Sequence, residues 1–166
     1  MARWETEQTV TQSILERLID RDPTQSADPA PTRAQSVRQL KASLRRDLEW
    51  LLNTRRTPRP ATSEFAEVEK SLYNFGLQDM TNLAWDSSRD RARLSRMIEQ
   101  TVQTFEPRIT GLKVVALDSM QGLTHVLRFQ IQGLLDMDPA PEHISFDTVL
   151  QLSSGEYQVR GDGSAG

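Results

Sequence analysis

"TVQTFEPRITGLKVVAL" (Thr101–Leu117) changes its hydrophobic period halfway along. Upstream of the change, Leu94, Met97 or Ile98, Thr101 or Val102, and Phe105 recur at the spacing of an amphipathic helix. Proline disfavours the α conformation for the residue before it, so the helix must stop at Glu106. Beyond Pro107, "GLKVVALDS" reads as a strand. In an extended stretch residues two apart point the same way, so Glu106 and Arg108 should stand side by side on one face, with Pro107 fixing the backbone between them. Such a pair has three readings: punctuation worth about 0–1 kcal/mol at a surface, part of an active site, or a contact displayed to a partner.

Upstream lie further helices. Val37, Leu40, Leu44, Leu48 and Leu51 form one stripe of a helix from about Arg33 to Leu52, which "NTRRTPRPAT" ends with two prolines. A shorter helix is expected over roughly Ser63–Phe75, with Glu64 and Glu67 near its positive end and Gly76 at an αL C-cap. Asp86, Ser87 or Ser88 can cap the helix that reaches Phe105. Near the N-terminus, "TVTQSILERLID" puts Val10, Ile14, Leu15, Leu18 and Ile19 on a narrow stripe that must dock on something. "RDPTQSADPAPT" (Arg21–Thr32) is a proline-rich linker that leaves this helix free to reach outward.

Downstream the period stays at two. "THVLRFQIQGLL" alternates Leu127, Phe129 and Ile131 with polar residues, and "ISFDTVLQL" places Ile144, Phe146, Thr148, Leu150 and Leu152 on one face. Ser153–Gly155 reads as a hairpin turn and "EYQVR" as the last strand. Helices first and strands second make an α+β fold, with N-terminal helices packed on a mostly antiparallel sheet of about four strands. The organisation is an amphipathic arm (1–20), a linker (21–32), one α+β domain (33–160) and a disordered tail (161–166).

The chain has 166 residues, enough for one domain with a real core. Apolar residues make up 37%, low enough to expect polar arms or surfaces completed by partners. No cysteine excludes disulfides and thiolate chemistry. No apolar run approaches the roughly 20 residues of a membrane span, and "MARWETEQTV" reads as no signal peptide, so a cytoplasmic protein is expected. Net charge is −3, against general nucleic-acid binding, but Arg33–Arg59 carries eight basic and two acidic residues. From Asp136 onward there are six acidic residues and one arginine. That asymmetry can orient a protein against charged partners, or it can be two solvated faces.

Chemical machinery is sparse. There are two histidines, His125 in the turn opening a strand and His143 after a proline-rich loop; both read as surface residues and cannot supply a zinc site alone, so no metal is expected. Gly161–Gly166 spells G-x-G-x-x-G without the helix that makes the motif bind a dinucleotide, so no cofactor is expected. Arg160-Gly161-Asp162 is a chance tripeptide in a tail. A glycosidase needs two acids about 5–10 Å apart across a sugar-binding cleft. Glu106 is the best candidate acid, yet Arg108 is two residues away, and an adjacent cation favours a carboxyl's charged form, the wrong direction for a general acid. No catalytic residue is assigned.

Three stretches together resemble one family: "LLNTR" (Leu51–Arg55), "SLYNFGLQDM" (Ser71–Met80, pattern S-L-x-N-[YF]-G-x-x-D) and "FEPRI" (Phe105–Ile109). "ILERLID" and "FDTVLQLSSGEYQV" complete a match over about residues 10–160. The chain resembles the TssE baseplate wedge subunits of bacterial type VI secretion and the "lysozyme-like" wedge proteins of contractile phages. It departs from them in Ile109, where leucine is usual, and in the long linker.

The resemblance implies a non-enzymatic subunit that joins the wedge to the first sheath ring, in a baseplate docked at the inner-membrane complex. It implies TssF, TssG and TssK as wedge partners, and the sheath subunits TssB and TssC as partners in β-strand pairing. The available edges would be Ile144–Leu152 and Glu156–Arg160. It further implies that Glu106, Pro107 and Arg108 contact the helical core bundle of the wedge. Arg55 and Arg56 are a docking patch or helix-terminal cations, and Ile14, Leu15 and Leu18 belong to a partner-binding arm. Asn74, Gly76 and Asp79 read as structural. A muramidase-type peptidoglycan hydrolase and a generic α+β adaptor are the alternatives.

Overall fold

A computed structural model describes Val10, residues 13–19, Thr24 and residues 32–59, 64–80, 84, 87–117, 126–138 and 140–161. Most of the proline-rich linker, His125 and the tail beyond Gly161 lie outside these residues.

The helices are α1 (Ile14–Leu18), α2 (Arg33–Asn53), α3 (Ala66–Glu69) and α4 (Ser88–Phe105), with a 3-10 turn at Leu72–Asn74. Helix α2 opens with a capping box: Gln35 N–H donates to the Thr32 hydroxyl, and Thr32 N–H donates back to the Gln35 side chain. It buries Leu40, Leu44, Leu48, Leu51 and Leu52, and it closes as the Thr54 hydroxyl donates to the Trp50 carbonyl at 2.7 Å. Helix α4 starts at a Ser87 cap and buries Leu94, Ile98 and Val102 completely, each contributing about 1.5–3 kcal/mol. It stops at Phe105, as the proline at position 107 requires.

The single helix expected over Ser63–Phe75 does not form in the described part of that stretch. Ser71 divides it: its hydroxyl donates to the Val68 carbonyl at 2.7 Å and accepts from Tyr73 N–H at 3.2 Å. Serine competing for backbone groups in this way favours a break, and none of the α3 residues is buried to hold a longer helix together. Gly76 has the positive φ of +103° expected of it, but its setting is a crossing. Leu77 N–H donates to the Thr54 carbonyl at 2.9 Å, and a Cβ on Gly76 would lie 2.3 Å from that oxygen.

The strands β1 (Ile109–Leu117), β2 (Val126–Leu135), β3 (Glu142–Gln151) and β4 (Glu156–Arg160) form an antiparallel meander in the order β1-β2-β3-β4. One sheet face carries Phe129, Ile131, Ile144, Phe146, Leu150, Tyr157 and Val159 into a single core with the leucines of α2 and the stripe of α4. The alternation read in the sequence is the alternation of burial, except that Leu152 falls in the turn after β3. Tyr157 is 1% exposed; its hydroxyl donates to Met80 Sδ, and burial pushes its phenol above the ordinary value of 10.0. The basic second helix lies over the acidic half: Lys41 pairs with Glu142 at 2.6 Å, and Arg33 donates to the Asp138 carbonyl. Part of the charge asymmetry is therefore spent inside the molecule. Among the described residues no helix is long and apolar enough to cross a membrane.

Candidate functional site

Glu106 and Arg108 stand together as the spacing requires. Arg108 donates from Nε and Nη2 to the two Glu106 carboxylate oxygens at 2.5 and 2.6 Å, a bidentate fork. Nη2 also reaches Asp47 of α2 at 2.7 Å, which the sequence reading left out. Asp47 in turn lies 3.6 Å from Arg46, and Arg46 pairs with Glu16 of α1 while its guanidinium sits 5.3 Å over the Trp50 ring. Five charged groups thus run in one chain from the N-terminal helix, across α2, to the α4–β1 joint. The backbone is tied as well: Asp136 N–H donates to the Arg108 carbonyl at 2.8 Å, which fixes the start of β1 against the end of β2.

These partners decide what the joint can do. Glu106 is 6% exposed and both its oxygens are engaged, so it faces no cleft. The hydrogen bonds it donates to Glu106 hold Arg108 above its ordinary value, against the opposing effect of burial, so the guanidinium stays charged. The joint's outward surface is the exposed Pro107 and the half-buried Arg108–Asp47 edge. Among the described residues no group of three or more histidine, cysteine, aspartate or glutamate side chains could hold a metal.

The other proposed contact residues are scattered. Arg55 is exposed and lies 3.7 Å from Asp79, while Arg56 turns inward and is half-buried. Ile14 and Leu18 are each 76% exposed, while Glu16 between them is buried. The arm thus touches the body through the Glu16 carboxylate and through Val10, and leaves Ile14 and Leu18 outward. The side chain of Leu15 lies outside the described residues.

The sheet edges correct one expectation. The stretch Ile144–Leu152 is not an edge, because its strand, β3, is paired with β2 on one side and β4 on the other. The edges are β1 and β4. Each is met by a helix side chain. Asn53, the last residue of α2, accepts from Tyr157 N–H and donates to the Tyr157 carbonyl, both at 2.8 Å, as a neighbouring strand would. On β1, Val114 N–H donates to the Glu99 carboxylate at 3.1 Å. A register irregularity between Thr110 and Lys113, with Gly111 at φ +58°, breaks the strand near its start. Asn53 and Asp47 are the residues sequence reasoning missed. The only hint was position: an acid inside a basic run, and an amide just past two leucines at a helix end.

A family model described as baseplate wedge protein gp25 matches residues 38–140, from α2 to the loop after β2. No curated protein and no solved structure matches the chain.

Proposed function

The chain belongs to the baseplate wedge protein gp25 family, and on that premise we propose that it is a structural subunit of a type VI secretion baseplate. In this role it joins the wedge complex to the first ring of the contractile sheath. The observation that carries the reading is the family match, whose span includes Asp47, Glu106, Pro107 and Arg108. The Pro107 ring and the Arg108–Asp47 edge form the surface offered to the helical core bundle of the wedge, with TssF, TssG and TssK as its partners. The sheath subunits TssB and TssC pair with the sheet at β4. Along β4, the backbone groups of Val159, two residues on, point the same way as those of Tyr157 and continue the outward edge past Asn53. The expected location is a cytoplasmic baseplate docked at the inner-membrane complex.

The test is gentle capture of the tagged protein from its native host, with a Glu106→Ala/Arg108→Ala variant in parallel and its fold checked by circular dichroism. Wild type should recover wedge subunits, and the folded variant should lose them. Recovery by both would return the joint to an internal brace. Absence of wedge subunits from both, where those subunits are expressed, would end the baseplate reading.

A further inference from the structure

A groove between α4 and the α3/3-10 segment belongs to neither surface described above. It encloses about 560 Å³, and Arg56, Glu69, Asn74, Gln78, Gln100 and Thr104 contribute its polar walls, with Gly76 in the lining. Phe75 and Phe105 meet edge to face, with ring centroids 5.3 Å apart, and join the two sides. Arg56 is held at its root, since its N–H donates to the Leu77 carbonyl at 2.8 Å. Its Nε is shut off from solvent and has no hydrogen-bond acceptor among the described residues. Glu69, exposed on the rim, makes no ion pair with it. A guanidinium has donors only, so a half-buried one with no acceptor among the described residues is half of an interaction.

The surroundings narrow the missing half. Arg93 is exposed four residues before the groove-lining Met97, on the same side of α4, and adds a second positive charge along that face. Gln78 and Gln100 are exposed amides able to donate to and accept from a peptide backbone. The α3/3-10 segment carries four large apolar side chains into solvent: Phe65, Val68, Leu72 and Tyr73, with Leu72 at 85%. A free acidic metabolite has no use for an apolar shoulder, whereas a protein segment with apolar residues beside an acid fits both parts.

We infer that this groove receives an aspartate or glutamate carried on an extended segment of a partner protein, its carboxylate accepting from Arg56 and its apolar neighbours lying on Leu72 and Val68. The inference does not depend on which assembly the chain joins, and its test needs no assembly partner.

The full chain, labelled with nitrogen-15, is titrated with a capped peptide holding two glutamates between leucines, with its glutamine counterpart, and with acetate. The Arg56 Nε–H resonance should move saturably with the glutamate peptide. The glutamine peptide should bind at least about tenfold more weakly, in line with the loss of a charge-assisted bond. Thr104→Glu, which sets a carboxylate in the groove mouth, should move the same resonance without peptide and block binding. Arg56→Gln should abolish binding while the amide spectrum shows an intact fold. An unmoved Arg56 resonance, equal response to both peptides, or a response to acetate as large as to the peptide would overturn the proposal.

Discussion

The two outer strands of the sheet face the same problem and solve it differently. Strand β4 is regular, and Asn53 closes it with one amide that supplies both a donor and an acceptor to Tyr157. Strand β1 is irregular, and Glu99 supplies only an acceptor, to Val114. An amide is the chemical equivalent of one residue of a neighbouring strand, so an incoming strand can replace it bond for bond. The Glu99 carboxylate offers no such exchange, because it supplies an acceptor and no donor to a strand that is irregular at its start. The lesson is that β4 is closed by a group an incoming strand can copy, and β1 by one it cannot.

The largest effect should come from the start of β1. Arg108→Ala leaves Glu106 buried and unpaired, and the expected loss is about 3 kcal/mol in urea unfolding. Replacing both residues with leucine should recover much of that loss. A single variant as stable as wild type would mean the joint does not anchor β1.

Next is Asn53→Ala, which removes both partners of Tyr157. About 2 kcal/mol should be lost, and sedimentation should show self-association through the opened β4 edge. Glu99→Ala should cost about 1 kcal/mol and leave the protein in its original association state, since the irregularity between Thr110 and Lys113 remains. Association by the Glu99 variant and not by the Asn53 variant would reverse the comparison.

Tyr157 sharpens it from the pH side. Its phenol is raised in the folded state, so its contribution is fully present below the ordinary value of 10.0 and declines as pH rises above it. Tyr157→Phe should be less stable at neutral pH through loss of the bond to Met80, yet flatter in stability above that pH. The smallest effect belongs to Asp79→Ala, which breaks an exposed pair with Arg55 and should change stability by less than about 1 kcal/mol.

What could be read in advance follows from the range of each interaction. The stripes of α2 and α4 and the alternation along β2, β3 and β4 were legible because period is a local property of the chain. The Ser63–Phe75 helix was misread because nothing local said that its residues would stay unburied. At the joint, the Glu106–Arg108 pair was legible from a spacing of two, but Asp47 lies 61 positions from Arg108. At the β4 edge, Asn53 lies 104 positions from Tyr157.

The sequence by itself determined where α2 and α4 end, which faces are apolar and that Glu106 and Arg108 share a side. Those follow from backbone sterics at proline and from residue period. Only the tertiary structure decided that Glu106 is buried, that β3 is interior, that Asn53 stands in for a strand and that Arg56 Nε meets no acceptor among the described residues. Each of these depends on which distant groups the packed core brings within hydrogen-bond reach, and no local pattern encodes that distance.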